Sequence, residues 1–153
     1  MKALVQRVRY ARVTINGGET RETGPGLLVL FGCASGDDLN DCRKLAEKTA
    51  KLRIFEDEEG KMNLSALELG LSAMVVSQFT LLADTHKGNR PSFIEAAKPP
   101  LSVQAYERYV EILSSLGLKE VRTGEFGADM QVEICNDGPV TVMLDTEEWK
   151  RCR

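Results

Sequence analysis

The first 18 residues cannot lie in a flat sheet. They are rich in Val, Ile and Thr, which fit a pleated surface, and they end at Asn16-Gly17-Gly18, a tight-turn signal. This is the first arm of a hairpin. Ala3 and Val5 share one parity, Val8 and Tyr10 take the other, and Val13 and Ile15 return to the first. Side chains alternate along a strand, so a buried face that switches in this way points to a bulge or to a bend around a curved sheet. Lys2, Arg7, Arg9 and Arg12 fall in the same stretch with no acid among them. On an exposed strand face they read as solvated charge.

Downstream, Gly24-Pro25-Gly26 leads into Leu27 to Phe31, an unbroken apolar run short enough for a strand buried on both faces. Asp37 or Asp38 can cap a helix through about Lys51, with Leu39, Cys42, Leu45, Ala46, Thr49 and Leu52 at spacings of three and four. Glu56 to Gly60 reads as a turn, and Ala73 to Leu82 as a second apolar strand. Ser92-x-x-Glu95 fits a capping box opening a short helix. A longer helix follows Pro99-Pro100, with Val103, Tyr106, Val110 and Leu113 on one face and Gly117 as its stop. Met130, Val132 and Ile134 alternate, as do Val140, Val142 and Leu144, with Asn136-Asp137-Gly138-Pro139 between them as a hairpin turn. The expected class is α+β: a curved, mostly antiparallel, barrel-like sheet with two longer helices, in a single domain over 1–153.

Composition narrows the function. A net charge of -3 argues against holding nucleic acid by bulk electrostatics and leaves room for a partner reached through a few local contacts. No apolar run approaches the roughly 20 residues of a membrane helix, and Arg7 and Arg9 fall where a signal peptide needs an unbroken apolar stretch, so a cytoplasmic protein is expected. Cys33, Cys42, Cys135 and Cys152 show no C-x-x-C spacing and read as reduced structural thiols. The single histidine, His86, sits in a polar loop, Asp84 to Arg90, where it is either a lone general base or merely solvated.

Two segments stand out. Ser77-Gln78-Phe79-Thr80 lies in the second apolar strand, where each buried polar group needs a partner or costs about 1 to 3 kcal/mol. The residues alone leave two readings open, a site or hydroxyls and an amide that serve the backbone near a strand end. Asn136-Asp137-Gly138-Pro139-Val140-Thr141 is by composition a plain hairpin loop.

Together they carry a resemblance. Ser77-Gln78-Phe79-Thr80-Leu81 and Asn136-x-Gly138-Pro139-Val140-Thr141 match the two signature motifs of the D-aminoacyl-tRNA deacylases, and Lys87-Gly88-Asn89-Arg90-Pro91-Ser92-Phe93 resembles that family's intervening loop. Length and element order fit across the chain.

The resemblance implies a hydrolase that cleaves the ester of D-aminoacyl-tRNA, and of glycyl-tRNA mischarged on tRNA(Ala), for proofreading in translation. It implies a homodimer in which a cis Gly138-Pro139 bond enters the other subunit's site. There the dipeptide's carbonyls hold the α-amino group and leave no room for an L side chain. Asn136 and Thr141 flank this chiral filter within the same substrate-binding segment, and Arg7, on the basic first strand, is a lesser candidate for lying near the filter or a phosphate. Main-chain N–H groups near Phe79 and Thr80 would stabilise the oxyanion. Thr80 is a nucleophile candidate, but no base is visible to activate it, which favours water attack helped by the terminal 2′-hydroxyl of the tRNA. Ser77 and Gln78 would order the pocket around the terminal adenosine, with Phe79 packing there or in the core. The implied partner is the tRNA acceptor end, gripped by local basic groups such as Lys87 and Arg90, with no DNA, membrane, metal or cofactor. The alternatives are a non-catalytic acceptor-end binding protein of the same fold and an esterase for small substrates.

Overall fold

The computed structural model describes residues 1–151. Its hub is β1 (Lys2–Ile15), which pairs on one side with β3 (Gly26–Gly32) along its first half and with β2 (Glu19–Thr23) along its second. Its other side is taken along its length by β8 (Met130–Asp145). These three pairings are antiparallel. Beyond β3 the sheet continues with β6 (Ser72–Ser77) and β7 (Val121–Thr123), both added parallel. A small hairpin, β4 (Phe55–Glu56) and β5 (Met62–Leu64), stands apart, and α1 (Asp41–Ala50), α2 (Leu101–Ser115) and α3 (Thr146–Arg151) complete the order. The α+β class and the curved, mostly antiparallel sheet are as expected. No helix is long and apolar enough to cross a membrane among the described residues.

Two cores explain the patterning. Ala3, Val5, Leu27, Val29, Phe31, Ala73 and Val75 pack under α1 and α2, while Val8, Ala11, Val13, Ile15, Leu28, Met74 and Val76 fill the other face of the sheet. An unbroken apolar run such as Leu27 to Phe31 is what a strand between two cores needs. The phase break in β1 is real: Val8 pairs with Asn136 and Tyr10 with Cys135, so β1 has one extra residue, Arg9, at that point. The bulge keeps Ala11, Val13 and Ile15 in the second core. It turns Tyr10 outward, so Tyr10 does not share the burial of Val8.

Several expectations need correction. The helix predicted from Asp37 or Asp38 begins at Asp41 because both carboxylates are engaged elsewhere. Asp37 pairs with the Met1 ammonium at 2.6 Å and accepts from the Ala34 N–H at 2.6 Å, while Asp38 accepts from the Asn40 N–H. In α2 the expected stripe holds at Tyr106 and Leu113, which are buried, and at Val110, which packs half-buried on the core, but the face runs on through Ala105, Tyr109 and Ile112 and does not take in Val103. Tyr106 and Tyr109 tolerate burial because their hydroxyls donate to the Val75 carbonyl (2.9 Å) and to Thr49 (2.8 Å). Ser92 to Glu95 forms no helix. Ser92 bridges to Asp84 through two backbone hydrogen bonds of 2.8 Å, which ties off the loop between them. Cys33, Cys42 and Cys135 are free thiols, and Cys152 lies outside the described residues.

Candidate active site

The strand predicted over Ala73 to Leu82 stops at Ser77. Parallel pairing with β3 ends at Ser77–Phe31, the Gln78 N–H donates to the Phe31 carbonyl at 2.6 Å, and Phe79–Leu82 turn as a single 3-10 element. Ser77 to Thr80 therefore sit at a strand end rather than inside a central strand. As the first residues of a 3-10 turn, Phe79 and Thr80 present N–H groups with no carbonyl to receive them among the described residues. Phe79 is 56% exposed and meets Phe93 edge to face at 5.1 Å.

Ser77, Gln78 and Phe79 open onto a cleft of about 620 Å³. They form one wall; Phe93 and Ala96 to Pro99 form another; Phe126 to Met130 close the far side. Thr80 is not part of the lining, and its hydroxyl accepts a 2.6 Å hydrogen bond from the Gln78 side-chain amide. Of these walls only Phe93 belongs to a motif, as the last residue of the loop from Lys87, and Ala96 to Pro99 and Phe126 to Met130 carry none.

Reactive groups in the cleft are few. Cys33 lies in its floor, but burial, reinforced by nearby Asp37, pushes the thiol up to about 12, which keeps it protonated and a poor nucleophile at neutral pH. Ser102 lines the cleft at the start of α2, its hydroxyl buried and without a partner among the described residues. His86 stands on the exposed loop, its ring 2.7 Å from Asp84, and is not part of the lining. Among the described residues no three His, Cys, Asp or Glu side chains converge as metal ligands would.

The second motif is not a hairpin turn. β8 is one strand throughout, and between the pairs Gln6–Thr141 and Val8–Asn136 a single residue of β1, Arg7, faces the four residues Asp137 to Val140. The four loop out over Arg7. Asn136 clamps the base of the loop, its amide donating to the Val140 carbonyl (3.0 Å) and its carbonyl accepting from the Val140 N–H (3.1 Å). Thr141 accepts from Gln6 at 3.1 Å, and Val140 is buried in the core. Arg7 is 7% exposed, so it does not belong to the solvated face that its neighbours suggest. Its Nε donates to the Asp137 carbonyl at 2.8 Å and its Nη1 to the Ile54 carbonyl at 2.7 Å. Gly138 and Pro139 are left exposed, joined by a cis bond, with Gly138 at φ +142. A Cβ at 138 would lie 2.8 Å from Val140 Cγ2 and 3.0 Å from Arg7 Nη2, so the loop itself demands glycine there.

Within one chain the motifs do not meet. The loop lies three strands from β6, roughly 14 Å across at the usual strand spacing. Arg7 is level with Leu27 and hence with Ala73, which puts Phe79 about 20 Å further along at the usual rise per residue. None of residues 136 to 141 lines the cleft.

The sequence model of the D-Tyr-tRNA(Tyr) deacylase family matches residues 4–145. The D-aminoacyl-tRNA deacylase of Anaeromyxobacter dehalogenans is 54% identical over 146 residues, covering 95% of this chain and 97% of that one. That of Ruegeria pomeroyi is 53% identical over 145 residues, covering 95% and 99%. Among solved structures, the c-Myc DNA Unwinding Element Binding Protein superposes with a TM-score of 0.89 at 40% identity, covering 95% of this chain and 99% of that one. A probable eukaryotic D-amino acid tRNA deacylase gives 0.83 at 15% identity, covering 94% and 98%, a likeness of fold alone. With a match from Leu4 to Asp145 and relatives above half identity along nearly the whole length, the chain belongs to the D-Tyr-tRNA(Tyr) deacylase family of hydrolases.

Proposed function

We propose that the chain hydrolyses the ester between a D-amino acid and the terminal ribose of tRNA, as a cytoplasmic homodimer whose two sites are each completed by the other subunit. The observation that carries this reading is the separation of the motifs. One chain holds a cleft with free amides and, outside the lining of that cleft, an exposed dipeptide loop. A second copy, docked so that Gly138 and Pro139 enter the cleft, unites them.

In that complex the terminal adenosine lies against Phe79 and Phe93, with Ser77 and Gln78 ordering its sugar. The Phe79 and Thr80 N–H groups receive the carbonyl oxygen as it gains charge, a task for which backbone donors need no reorganisation. Main-chain carbonyls of the partner's dipeptide accept the α-ammonium and fill the space an L side chain needs, so selectivity arises from steric rejection and glycine passes. Glycyl-tRNA mischarged on tRNA(Ala) is then a second substrate. Water attacks the ester carbon, its proton taken up with help from the neighbouring 2′-hydroxyl, and the ribose 3′-oxygen leaves as an alcohol. Thr80, outside the lining and hydrogen-bonded by Gln78, positions rather than attacks.

The test is hydrolysis of matched D-, L- and glycyl-tRNA by purified protein. Release of D-amino acid and glycine with L-aminoacyl-tRNA left intact is expected. Protection of the D-ester without release would replace the reading with a non-catalytic acceptor-end binder, and equal cleavage of RNA-free D-esters would replace it with a small-substrate esterase.

A further inference from the structure

The chain is acidic overall, yet from Arg43 to Arg53 it carries Arg43, Lys44, Lys48, Lys51 and Arg53 against one acid, Glu47. Lys44, Lys48 and Lys51 fall at i, i+4 and i+7, on one face of α1 and its C-cap. With Arg53 they line an open hollow of about 420 Å³ together with Leu52 and one acid, Glu47. Glu47 lies 3.7 Å from Arg43, and the Lys44 ammonium sits 4.9 Å over the Trp149 ring. Among the described residues no carboxylate comes within 4 Å of Lys48, Lys51 or Arg53.

A helix end accounts for part of this. Cations in a last turn offset the partial negative charge there. That argument covers Lys48 and Lys51, but Arg53 lies beyond the helix and Lys44 in its first half. The stripe from Lys44 to Lys51 is about 10 Å long at the helical rise, close to the roughly 8 Å over which charges act in physiological salt, so neighbouring cations add their fields.

Position supplies the second argument. Arg53 precedes Ile54, whose carbonyl holds one arm of Arg7, while another arm of Arg7 holds the Asp137 carbonyl beside Gly138. The basic hollow and the dipeptide loop thus hang from one buried guanidinium. A subunit that inserts Gly138 and Pro139 into its partner's cleft brings along the patch tied to the same arginine.

We infer that Lys48, Lys51 and Arg53 form a phosphate-binding surface for the acceptor strand of the tRNA whose 3′ end occupies the partner subunit's cleft. The inference rests on the dimeric reading above. Each subunit then contributes the filter and a grip on the RNA behind it, while the other contributes the amides. The grip is local, which suits a chain of net charge -3.

The experiment compares the intact protein with the double variant Lys48→Glu/Lys51→Glu on D-aminoacyl-tRNA and on a 3′-O-D-aminoacyl-adenosine. For the variant, kcat/KM on the tRNA should fall about tenfold at low salt, mainly through KM, and the log–log salt dependence should flatten by between about one and two. Cleavage of the adenosine ester should be unchanged, which also shows that the variant is folded. An unchanged rate and slope on tRNA overturns the inference, and so does an equal loss on both substrates, which would place the effect in the site or the fold. A parent protein inactive on both substrates overturns instead the deacylase reading on which the inference depends.

Discussion

The cleft end of β6 and the loop of β8 are both places where a regular strand gives out, but they are held in different ways. At Ser77 the strand emerges from between two apolar cores, and its last backbone hydrogen bond, from the Gln78 N–H to the Phe31 carbonyl, fixes where the free amides point. The useful groups there are main chain. The loop from Asp137 to Val140 reaches the core only through Val140 and keeps its shape through side chains from elsewhere, Arg7 above all and Asn136 at its base. A site made of backbone leaving a core tolerates side-chain changes, whereas a loop suspended from side chains does not. Substitutions around the loop should therefore reduce turnover far more than substitutions at the strand end.

The largest effect is expected at Arg7. Arg7→Met keeps much of the apolar stem but leaves the Asp137 and Ile54 carbonyls without their donors, at about 1 to 3 kcal/mol for the buried Ile54 acceptor and less for the part-buried Asp137 one. Denaturant unfolding should show that loss, and kcat/KM on D-aminoacyl-tRNA should fall by more than about a hundredfold as the dipeptide loses its register. Arg7→Lys, which cannot make both bonds with a rigid fork, should fall between. Parent-like turnover in Arg7→Met would show that the loop does not depend on its brace.

Next comes Gly138→Ala. The added Cβ meets Val140 Cγ2 at 2.8 Å and sits at φ +142, so the loop must shift before any substrate arrives. A cost of about 1 to 3 kcal/mol in stability and a loss of about a hundredfold in turnover are expected. If turnover falls while stability is untouched, the demand for glycine comes from the substrate and not from the loop. Asn136→Ala should be milder, about 1 kcal/mol for its hydrogen bonds to Val140. Asn136→Asp keeps the acceptor for the Val140 N–H and should recover part of the loss in kcat/KM.

This contrast also explains what the sequence reveals. The strands between two cores are legible because burial on both faces forces unbroken apolar runs, as in Leu27 to Phe31, and the bulge in β1 is legible because it reverses a parity. The end of β6 is not, because Phe79, Leu81 and Leu82 continue the apolar composition of the strand after its backbone has left the sheet. The loop of β8 is misread for the opposite reason. Asn, Asp, Gly and Pro spell a hairpin turn, and only the long-range pairing of β1 with both halves of β8 makes them an excursion from one strand. Arg7 hides among exposed arginines, since nothing local marks the one whose partners are carbonyls 47 and 130 residues away. The motif residues Ser77, Gln78, Phe79, Phe93, Gly138 and Pro139 are marked by resemblance, whereas Ala96 to Pro99 and Phe126 to Met130 on the opposite walls are apolar or plain loop and carry no mark.

At the strand end the effects should shrink. Thr80→Ala removes a hydroxyl that lies outside the cleft lining and accepts from Gln78, so a loss in kcat of about tenfold or less is expected, with Thr80→Ser close to the parent. A drop to the limit of detection would make Thr80 the nucleophile, and a strand-end side chain would then matter as much as the loop.

The smallest effect is expected at Cys33, although it is the most nucleophilic type of atom in the cleft floor. Burial holds its proton on up to about 12, against an ordinary value near 9, so no thiolate is available between pH 6 and 8, and Cys33→Ala should leave turnover unchanged across that range. The same shift has a consequence for folding. Above pH 9 the unfolded chain releases the thiol proton while the folded chain retains it, so the unfolded state binds fewer protons and stability falls as the pH rises toward 12. Cys33→Ala should make that alkaline decline shallower when unfolding is followed from pH 8 to 11. Loss of turnover at pH 7 in Cys33→Ala, with the alkaline slope unaltered, would mean that a thiolate forms in the cleft after all. The strand end would then owe its chemistry to a side chain, and its difference from the loop would disappear.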